Sequence, residues 1–120
     1  MKNWLRFLLV IILTLGSAYG FNSHRDNATV DMVFLAELPR EAQQTVTLIK
    51  TGGPFPYSRD GIVFGNYEKR LPLKQRGYYL EYTVKTPGQR NRGARRIIAG
   101  EKAEYYYTDN HYNTFRRIRE

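Results

Sequence analysis

The sequence predicts an α+β fold, in which one main N-terminal helix packs on one face of an antiparallel β-sheet and leaves the opposite face for a functional site. Three observations point to this fold: a single amphipathic helical stripe before residue 54, short runs rich in Val, Ile, Phe, Tyr and Thr after it, and Gly, Pro and Asp residues between those runs. One helix followed by consecutive strands is typical of α+β domains.

The helix is predicted over Leu38–Thr51. Pro39 suits a first helical turn, Glu41 complements the positive end of the helix dipole, and Gly52-Gly53 is a stop signal. Apolar residues recur within it at positions i, i+4 and i+7, namely Ala42, Val46 and Ile49. This stripe indicates a helix that buries one face against the rest of the domain.

The strands are predicted mainly in the second half of the chain. The runs that indicate them are Gly61–Phe64, Tyr78–Lys85, Arg95–Ala99 and Tyr105–Thr108, with a further short run at Val30–Phe34. The second run alternates with a period of two. The face that we expect to pack under the helix carries Tyr78, Leu80, Tyr82 and Val84. The face that we expect to stay open carries Tyr79, Glu81, Thr83 and Lys85.

Residues 1–20 have the pattern of an export signal. Lys2 and Arg6 form a basic start, and Phe7–Leu15 is a short apolar run. The stretch Ala18-Tyr19-Gly20 then places small residues at a cleavage site. The sequence therefore predicts a secreted protein, extracellular or periplasmic before release.

Cleavage is expected after Gly20. Cleavage after Ala18 is one alternative, and an uncleaved membrane anchor is another, although the apolar run is shorter than a bilayer span. The predicted organisation is a signal peptide at 1–20, an N-terminal segment at 21–34 and a single domain at 35–120.

The composition limits the possible functions. The 120 residues include no cysteine, which excludes a disulfide framework, a thiolate metal site and a cysteine nucleophile. The sequence contains no HExxH motif, no paired-Asp motif and no phosphate-cradling glycine motif, so neither a metal nor another cofactor is expected. Removing residues 1–20 takes away Lys2 and Arg6 and lowers the net charge from +8 to +6. This excess favours a polyanionic partner: nucleic acid, anionic lipid or an acidic glycan.

Glu81 lies in the middle of the predicted open face. In the next strand Arg96 points one way and Arg95 the other, so one of the two shares a face with Glu81. From the strand pattern alone, a solvated cross-strand ion pair is the simpler interpretation. His111 follows the last predicted strand in a turn-like stretch, where a lone histidine is usually an ordinary surface residue. His24, the other histidine, is given no role.

A basic loop joins two of the predicted strands. Pro87–Gly93 contains Arg90 and Arg92, and Arg95 and Arg96 follow at once. Such a loop often serves solubility alone. Beside an open sheet face with exposed tyrosines, it also fits phosphate binding combined with base stacking, which single-stranded nucleic acids require.

Four stretches of the sequence, taken together in chain order, indicate a known protein family. They are DGIVFGNYE at 60–68, GYYLEYTV at 77–84, RGARRII at 92–98 and YTDNHYNTF at 107–115. Together they resemble the secreted microbial guanyl-specific ribonucleases, the relatives of barnase. The helix start Leu38-Pro39 and the turn Gly53–Tyr57 fit the same family, within which Tyr57 is expected to be structural. The resemblance runs from about residue 35 to residue 118 and implies the microbial ribonuclease fold.

The resemblance also implies a role for each matching residue near the phosphate. It makes Glu81 the general base, His111 the general acid, and Arg92 and Arg96 the phosphate-binding cations, with Tyr112 near the phosphate. Such a set suits RNA cleavage, in which the 2′-hydroxyl loses a proton, the 5′-oxygen gains one and charge develops on the phosphoryl oxygens.

The same resemblance implies that a neighbouring loop binds the guanine base. The loop consists of Gly65, Asn66, Tyr67 and Glu68, and Phe64 is an aromatic beside the base. Glu68 is expected to accept hydrogen bonds from the Watson–Crick edge of guanine while loop amides donate to the base oxygen. Gly65 and Tyr67 depart from the bulkier or charged residues of some relatives, and Tyr67 offers an additional stacking surface.

The implied function is a metal-independent endoribonuclease with guanine preference. It would cleave single-stranded RNA to a 2′,3′-cyclic phosphate and hydrolyse that product to a 3′-phosphate. A non-catalytic RNA-binding protein with a ribonuclease-like fold and a basic protein that attacks anionic membranes remain as alternatives. The expected partners are RNA and an acidic inhibitor resembling barstar, and we expect a monomer without stable membrane association after signal removal.

Overall fold

The computed structural model describes residues 30–120. The predicted signal peptide at 1–20 and most of the predicted N-terminal segment at 21–34 therefore lie outside the described residues. The described part begins one residue before the first strand.

The described chain contains one α-helix and six strands. In chain order they are β1 (Asp31–Phe34), a short 3₁₀ turn (Leu35–Glu37), α1 (Arg40–Thr51), β2 (Ile62–Val63), β3 (Tyr79–Thr83), β4 (Arg96–Gly100), β5 (Glu104–Thr108) and β6 (Arg116–Arg119). Each of the five predicted runs overlaps a strand, although β4 and β5 each extend one residue beyond the predicted run. β6 was not predicted, because three of its four residues are arginines and such a stretch has no apolar alternation.

The strands form one sheet in the order β1-β6-β5-β4-β3-β2. All neighbours are antiparallel except β1 and β6, which pair in parallel. The α+β prediction is confirmed, and the sheet is mixed because β1 enters it beside the last strand. In this pairing Val33 lies opposite Ile118, and both side chains are buried. An ion pair between Lys50 and Glu120 adds a contact near the carboxyl end of the chain.

The helix is two residues shorter than predicted at its start. Pro39 has an extended ψ of 150° and precedes the first helical residue, while its carbonyl accepts the N–H groups of Ala42 and Gln43 at 3.0 and 3.2 Å. At the other end Gly52 adopts a φ of +83°, and the Gly53 N–H reaches the Leu48 carbonyl at 2.9 Å. A left-handed residue after the last turn is easiest for glycine, which is why the predicted stop is observed.

The helix packs on one face of the sheet through an apolar core. Ala42 and Val46 lie at its centre, as the stripe predicted, and Ile49 packs against it while half-buried. The sheet supplies most of the other members of this core, which include Tyr82, Ile97, Ala99, Tyr105, Tyr107 and Ile118, and Val84 directly after β3 is buried with them.

The opposite face is covered over part of its area, so the prediction of an open face was wrong. A second core there contains Leu71, Tyr79, Ile98, Tyr106 and Phe115. The segment between β2 and β3 folds over the sheet, and the Tyr79 hydroxyl donates to the Pro72 carbonyl at 2.6 Å. Tyr78 was expected under the helix but packs with this second core, because it lies in the turn before β3 with its N–H on the Gln75 carbonyl.

Candidate active site

Glu81 lies in the middle of β3 on the face away from the helix, opposite Ile98 of β4. It is only 7% exposed. The Tyr112 hydroxyl donates to its Oε2 at 2.8 Å, and Nη2 of Arg92 is 3.5 Å from its Oε1. A buried carboxylate is costly unless it is paired and hydrogen-bonded, and these two contacts supply both. The solvated cross-strand pair, the simpler interpretation of the strand pattern, is therefore wrong for Glu81.

Arg92 reaches Glu81 from the loop between β3 and β4. Its Nε donates to the Thr83 hydroxyl at 3.0 Å, which orients the guanidinium along β3. Thr83 is buried one side-chain period beyond Glu81. The strand therefore presents the carboxylate and the support for its cation on one face.

Arg96 is the arginine of β4 that shares this face. Its Nη1 donates to the carbonyls of Arg92, Gly93 and Arg95 at 3.4, 3.0 and 2.8 Å. The side chain is 2% exposed, and its Nε has no hydrogen-bond partner within residues 30–120. Arg95 points to the helix side, where its Nη1 is 3.6 Å from Glu41. Arg96 is therefore a buried cation held mainly by backbone carbonyls, with one N–H group left unpaired.

His111 lies in the loop between β5 and β6. Its backbone N–H donates to the Ala94 carbonyl at 3.0 Å, which ties this loop to the segment before β4. The residue has a φ of +55°, and its exposed imidazole ring lies with its centroid 4.6 Å from that of Tyr112. The structure thus brings the predicted acid next to the hydroxyl-bearing ring that contacts Glu81.

Tyr112 connects these groups. Its φ is +71°, its ring lies 5.9 Å below the Arg96 guanidinium carbon, and it stacks on Phe64 at 5.2 Å. Burial and the hydrogen bond to Glu81 raise the pKa of the Tyr112 hydroxyl, and the Arg96 charge opposes the rise. The phenol therefore remains a donor to Glu81 at neutral pH.

A cavity of about 270 Å³ opens beside Glu81 and Tyr112. Every predicted base-binding residue lines it, and so do several residues that were not predicted. The full lining consists of Arg59, Ile62, Val63, Phe64, Gly65, Asn66, Tyr67, Glu68, Arg70, Glu81, Tyr112 and Phe115. Arg92, Arg96 and His111 are not part of its wall and adjoin it through Glu81 and Tyr112. The cavity therefore joins the predicted base-binding loop to a cluster of charged groups.

Asn66 supports the loop from within. Its side-chain amide donates to the Leu71 carbonyl at 3.0 Å, and its Oδ1 accepts the Leu71 N–H at 3.1 Å. The backbone of Asn66 is left-handed, with a φ of +51°. This side chain fixes the shape of the loop.

Tyr67 covers Gly65. A Cβ at position 65 would lie 2.5 Å from the Tyr67 ring, so the ring can take this position only because residue 65 has no side chain. The Tyr67 hydroxyl accepts a hydrogen bond from Arg76 at 2.8 Å, although the residue is 80% exposed. The two departures from the family pattern thus fit one another.

Several residues of the site escaped the sequence prediction. Arg59 and Phe115 line the cavity, and Arg70 does so while contacting Glu68. Their position depends on how loops pack on the sheet, for which the sequence holds no periodic signal. Within 30–120 no cluster of three or more His, Cys, Asp or Glu could hold a metal ion. No helix in the same range is long and apolar enough to cross a membrane.

Residues 22–119 match the family model described as ribonuclease. Guanyl-specific ribonuclease St of Saccharopolyspora erythraea is 53% identical over 91 residues, which are 76% of this chain and 90% of that protein. Guanyl-specific ribonuclease Sa of Kitasatospora aureofaciens is 59% identical over 87 residues, which are 72% of this chain and 91% of that protein. Both alignments span most of the domain on either side.

A solved structure shares the fold. The crystal structure of ribonuclease Sa2 with guanosine-2′-cyclophosphate matches at a TM-score of 0.73 and 48% identity, covering 76% of this chain and 97% of that one. The segment matched by the family model spans every predicted site residue, from Phe64 to Tyr112.

Proposed function

The chain belongs to the family of microbial guanyl-specific ribonucleases, and we propose that it is a guanyl-preferring endoribonuclease whose active centre is the buried carboxylate Glu81 with the groups around it. The observation that carries this proposal is the position of Glu81. It is held between Tyr112 and Arg92 at the wall of the cavity that the base-binding loop also lines.

In the first step Glu81 accepts the proton of the 2′-hydroxyl, whose oxygen then attacks the adjacent phosphorus. The bond from phosphorus to the 5′-oxygen breaks, and His111 donates a proton to that oxygen. The products are a 2′,3′-cyclic phosphate and a free 5′-hydroxyl. DNA lacks the attacking hydroxyl and is not a substrate.

The charge that develops on the phosphoryl oxygens meets two arginines. Arg92 pairs with Glu81, and three backbone carbonyls fix Arg96 over the Tyr112 ring. Cations that are oriented before the reaction stabilise such charge without reorganisation. The position of the Arg96 guanidinium over the ring of Tyr112, which contacts Glu81, supports its assignment as a phosphate-stabilising cation.

In the second step water opens the cyclic phosphate. His111, now without its proton, activates the water, and Glu81 returns a proton to the 2′-oxygen. The two residues therefore exchange roles, and the product carries a 3′-phosphate.

Guanine is bound by the loop from Gly65 to Glu68. The Glu68 carboxylate accepts the two adjacent N–H donors of the base, and backbone N–H groups of the loop donate to its oxygen. The stacked pair of Phe64 and Tyr112 forms the cavity floor on which the base lies. Asn66 acts by holding the loop shape.

The protein is proposed to be exported, with residues 1–20 removed. The basic start and the short apolar run of that segment support this, together with the small residues Ala18 and Gly20 at the expected cleavage site. A producer of such an enzyme needs protection before export, so a small acidic inhibitor is the expected partner. N-terminal sequencing of the exported protein should begin at or near Phe21, and an intact Met1 in the membrane fraction would contradict cleavage.

One assay separates the three candidate functions. Purified protein is incubated with RNA, DNA and anionic vesicles in excess EDTA. RNA cleavage after guanosine, with DNA and vesicles intact, is the expected result. Intact RNA with a shifted gel band would instead favour a binding protein, and release of dye from the vesicles would favour a membrane-active one.

A further inference from the structure

Arg70 connects two parts of the proposed site that are distant in sequence. Its Nη2 is 2.5 Å from Oε2 of Glu68, and its Nη1 donates to the Asn113 carbonyl at 2.6 Å. Asn113 follows His111 and Tyr112 directly in the chain. The guanidinium therefore spans the gap between the base-binding loop and the loop that carries the proposed acid.

We propose that Arg70 is a positioning residue that sets guanine preference: it orients the Glu68 carboxylate for the base and ties it to the His111 loop. The inference rests on the proposed function and adds a residue to which that function assigns no part. It concerns how well guanine is distinguished from other bases, and the chemistry of cleavage does not depend on it.

Glu68 needs such support because its side chain is 69% exposed. A free glutamate of this kind samples many rotamers, and ordering it on base binding costs entropy. The contact with Arg70 reduces that freedom before the base arrives. The cost of forming two hydrogen bonds to guanine is then lower.

Arg70 does not compete with the base for Glu68. Two carboxylate oxygens offer about four lone-pair sites, and the guanidinium occupies one of them at Oε2. The remaining sites suffice for the two N–H groups of guanine. Arginine thus leaves the base-binding edge of Glu68 available.

A lysine would not replace this arginine. The planar guanidinium directs separate N–H groups at Glu68 and at the Asn113 carbonyl, whereas an ammonium is a single point charge on a flexible stem. The Arg70→Lys variant retains the charge and loses the defined geometry. It therefore separates positioning from simple attraction of the RNA phosphates.

The test compares kcat/KM for the dinucleotides GpC and ApC. Arg70→Ala is expected to lower the ratio of kcat/KM for GpC to kcat/KM for ApC by about three- to tenfold. Arg70→Lys should recover only part of the guanine preference that Arg70→Ala loses. The affinity for guanosine 3′-monophosphate should fall in parallel with that preference.

Two control variants account for the loss of a nearby positive charge and for the loss of a half-exposed arginine side chain. Lys69→Ala removes the neighbouring cation and should change both substrates alike. Arg116→Ala removes an arginine of matched side-chain exposure, 42% against 40%, that pairs with Asp109 on the surface. It should leave the ratio of GpC to ApC unchanged.

The double variant Glu68→Gln with Arg70→Ala makes the test specific. If Arg70 acts through Glu68, its loss should have little further effect on guanine preference in the Glu68→Gln background. An unchanged GpC-to-ApC ratio in Arg70→Ala, or equal effects in both backgrounds, would overturn the inference while leaving the ribonuclease proposal intact. A wild-type chain that fails to cleave GpC would instead overturn the proposed function itself.

Discussion

The Tyr112 hydroxyl donates a 2.8 Å hydrogen bond to Oε2 of Glu81. The residue that stacks on Phe64 therefore also orients the carboxylate of the proposed general base. Burial and this hydrogen bond raise the pKa of the phenol, which consequently stays protonated while Glu81 works. A single side chain thus lines the cavity and also contacts the charged cluster.

Tyr112→Phe should retain the stacking ring and lose the donor to Glu81. Because a hydrogen bond to a buried charged group contributes about 1.5 to 3 kcal/mol, we expect kcat/KM for GpN substrates to fall roughly tenfold to a hundredfold. Tyr57→Phe, a half-buried tyrosine outside the cavity, is the matched control and should keep wild-type activity. Equal activity of the Tyr112→Phe variant and the wild type would show that the contact is dispensable.

Glu68→Gln should weaken guanine preference while RNA cleavage remains measurable. The amide offers only one acceptor oxygen to the two N–H donors of guanine, and a lost partner of this kind costs about 1 to 3 kcal/mol. Competition among GpN, ApN and CpN dinucleotides measures the effect. The same selectivity in variant and wild type would refute the role of Glu68.

Local patterns in the sequence were sufficient for much of this fold. The stripe of Ala42 and Val46 identified the helix, and the period of two in β3 placed Glu81 opposite it. These features depend on neighbours a few residues away. The resemblance to the ribonucleases then supplied the roles, which strand alternation could not distinguish from a surface ion pair.

Contacts between segments that are distant in the sequence could not be predicted from local patterns. Leu71 and Phe115 lie outside the strands and pack with Ile98, so the burial of this face depends on loops that the strand pattern does not describe. Arg70 is 43 residues from the carbonyl it contacts at Asn113. No pattern along the chain signals a partner at that separation.

Stability should decrease at alkaline pH because of Tyr78. Its hydrogen bond to Glu104, its burial and the Glu104 charge raise the pKa of Tyr78 from 10.0 to about 12. This contribution is fully present below the pKa of the unfolded state, near pH 10, and is lost as the pH rises through about 12, because the unfolded chain ionises first. Burial raises the pKa of Tyr79 and Tyr106 in the same sense.

Urea unfolding at about pH 8, 10 and 11 measures this effect. Tyr78→Phe should be less stable than the wild type at the lowest pH, since the hydrogen bond to Glu104 is missing. It should also lose less stability between the lowest and highest pH, since one ionising phenol has been removed. An equal loss of unfolding free energy in the variant and the wild type between the lowest and the highest pH would contradict the role of Tyr78.

Glu81 and His111 are the two residues whose loss distinguishes an enzyme from an RNA-binding protein. If Glu81 takes the 2′-proton and His111 supplies one to the leaving oxygen, kcat/KM should follow a bell-shaped dependence on pH, with the acidic limb from Glu81 and the basic limb from His111. His111→Gln should abolish the basic limb and lower kcat by about 10² to 10⁴, and Glu81→Gln should abolish the acidic limb, with some residual activity if His111 takes over the proton. Affinity for guanosine, which carries no phosphate, should remain near the wild-type value in both, because neither side chain belongs to the base-binding loop. His24→Gln, which alters the only other histidine, is the control and should keep the full profile. Wild-type rates and an unchanged pH profile in His111→Gln would leave the basic surface as a binding site without catalysis.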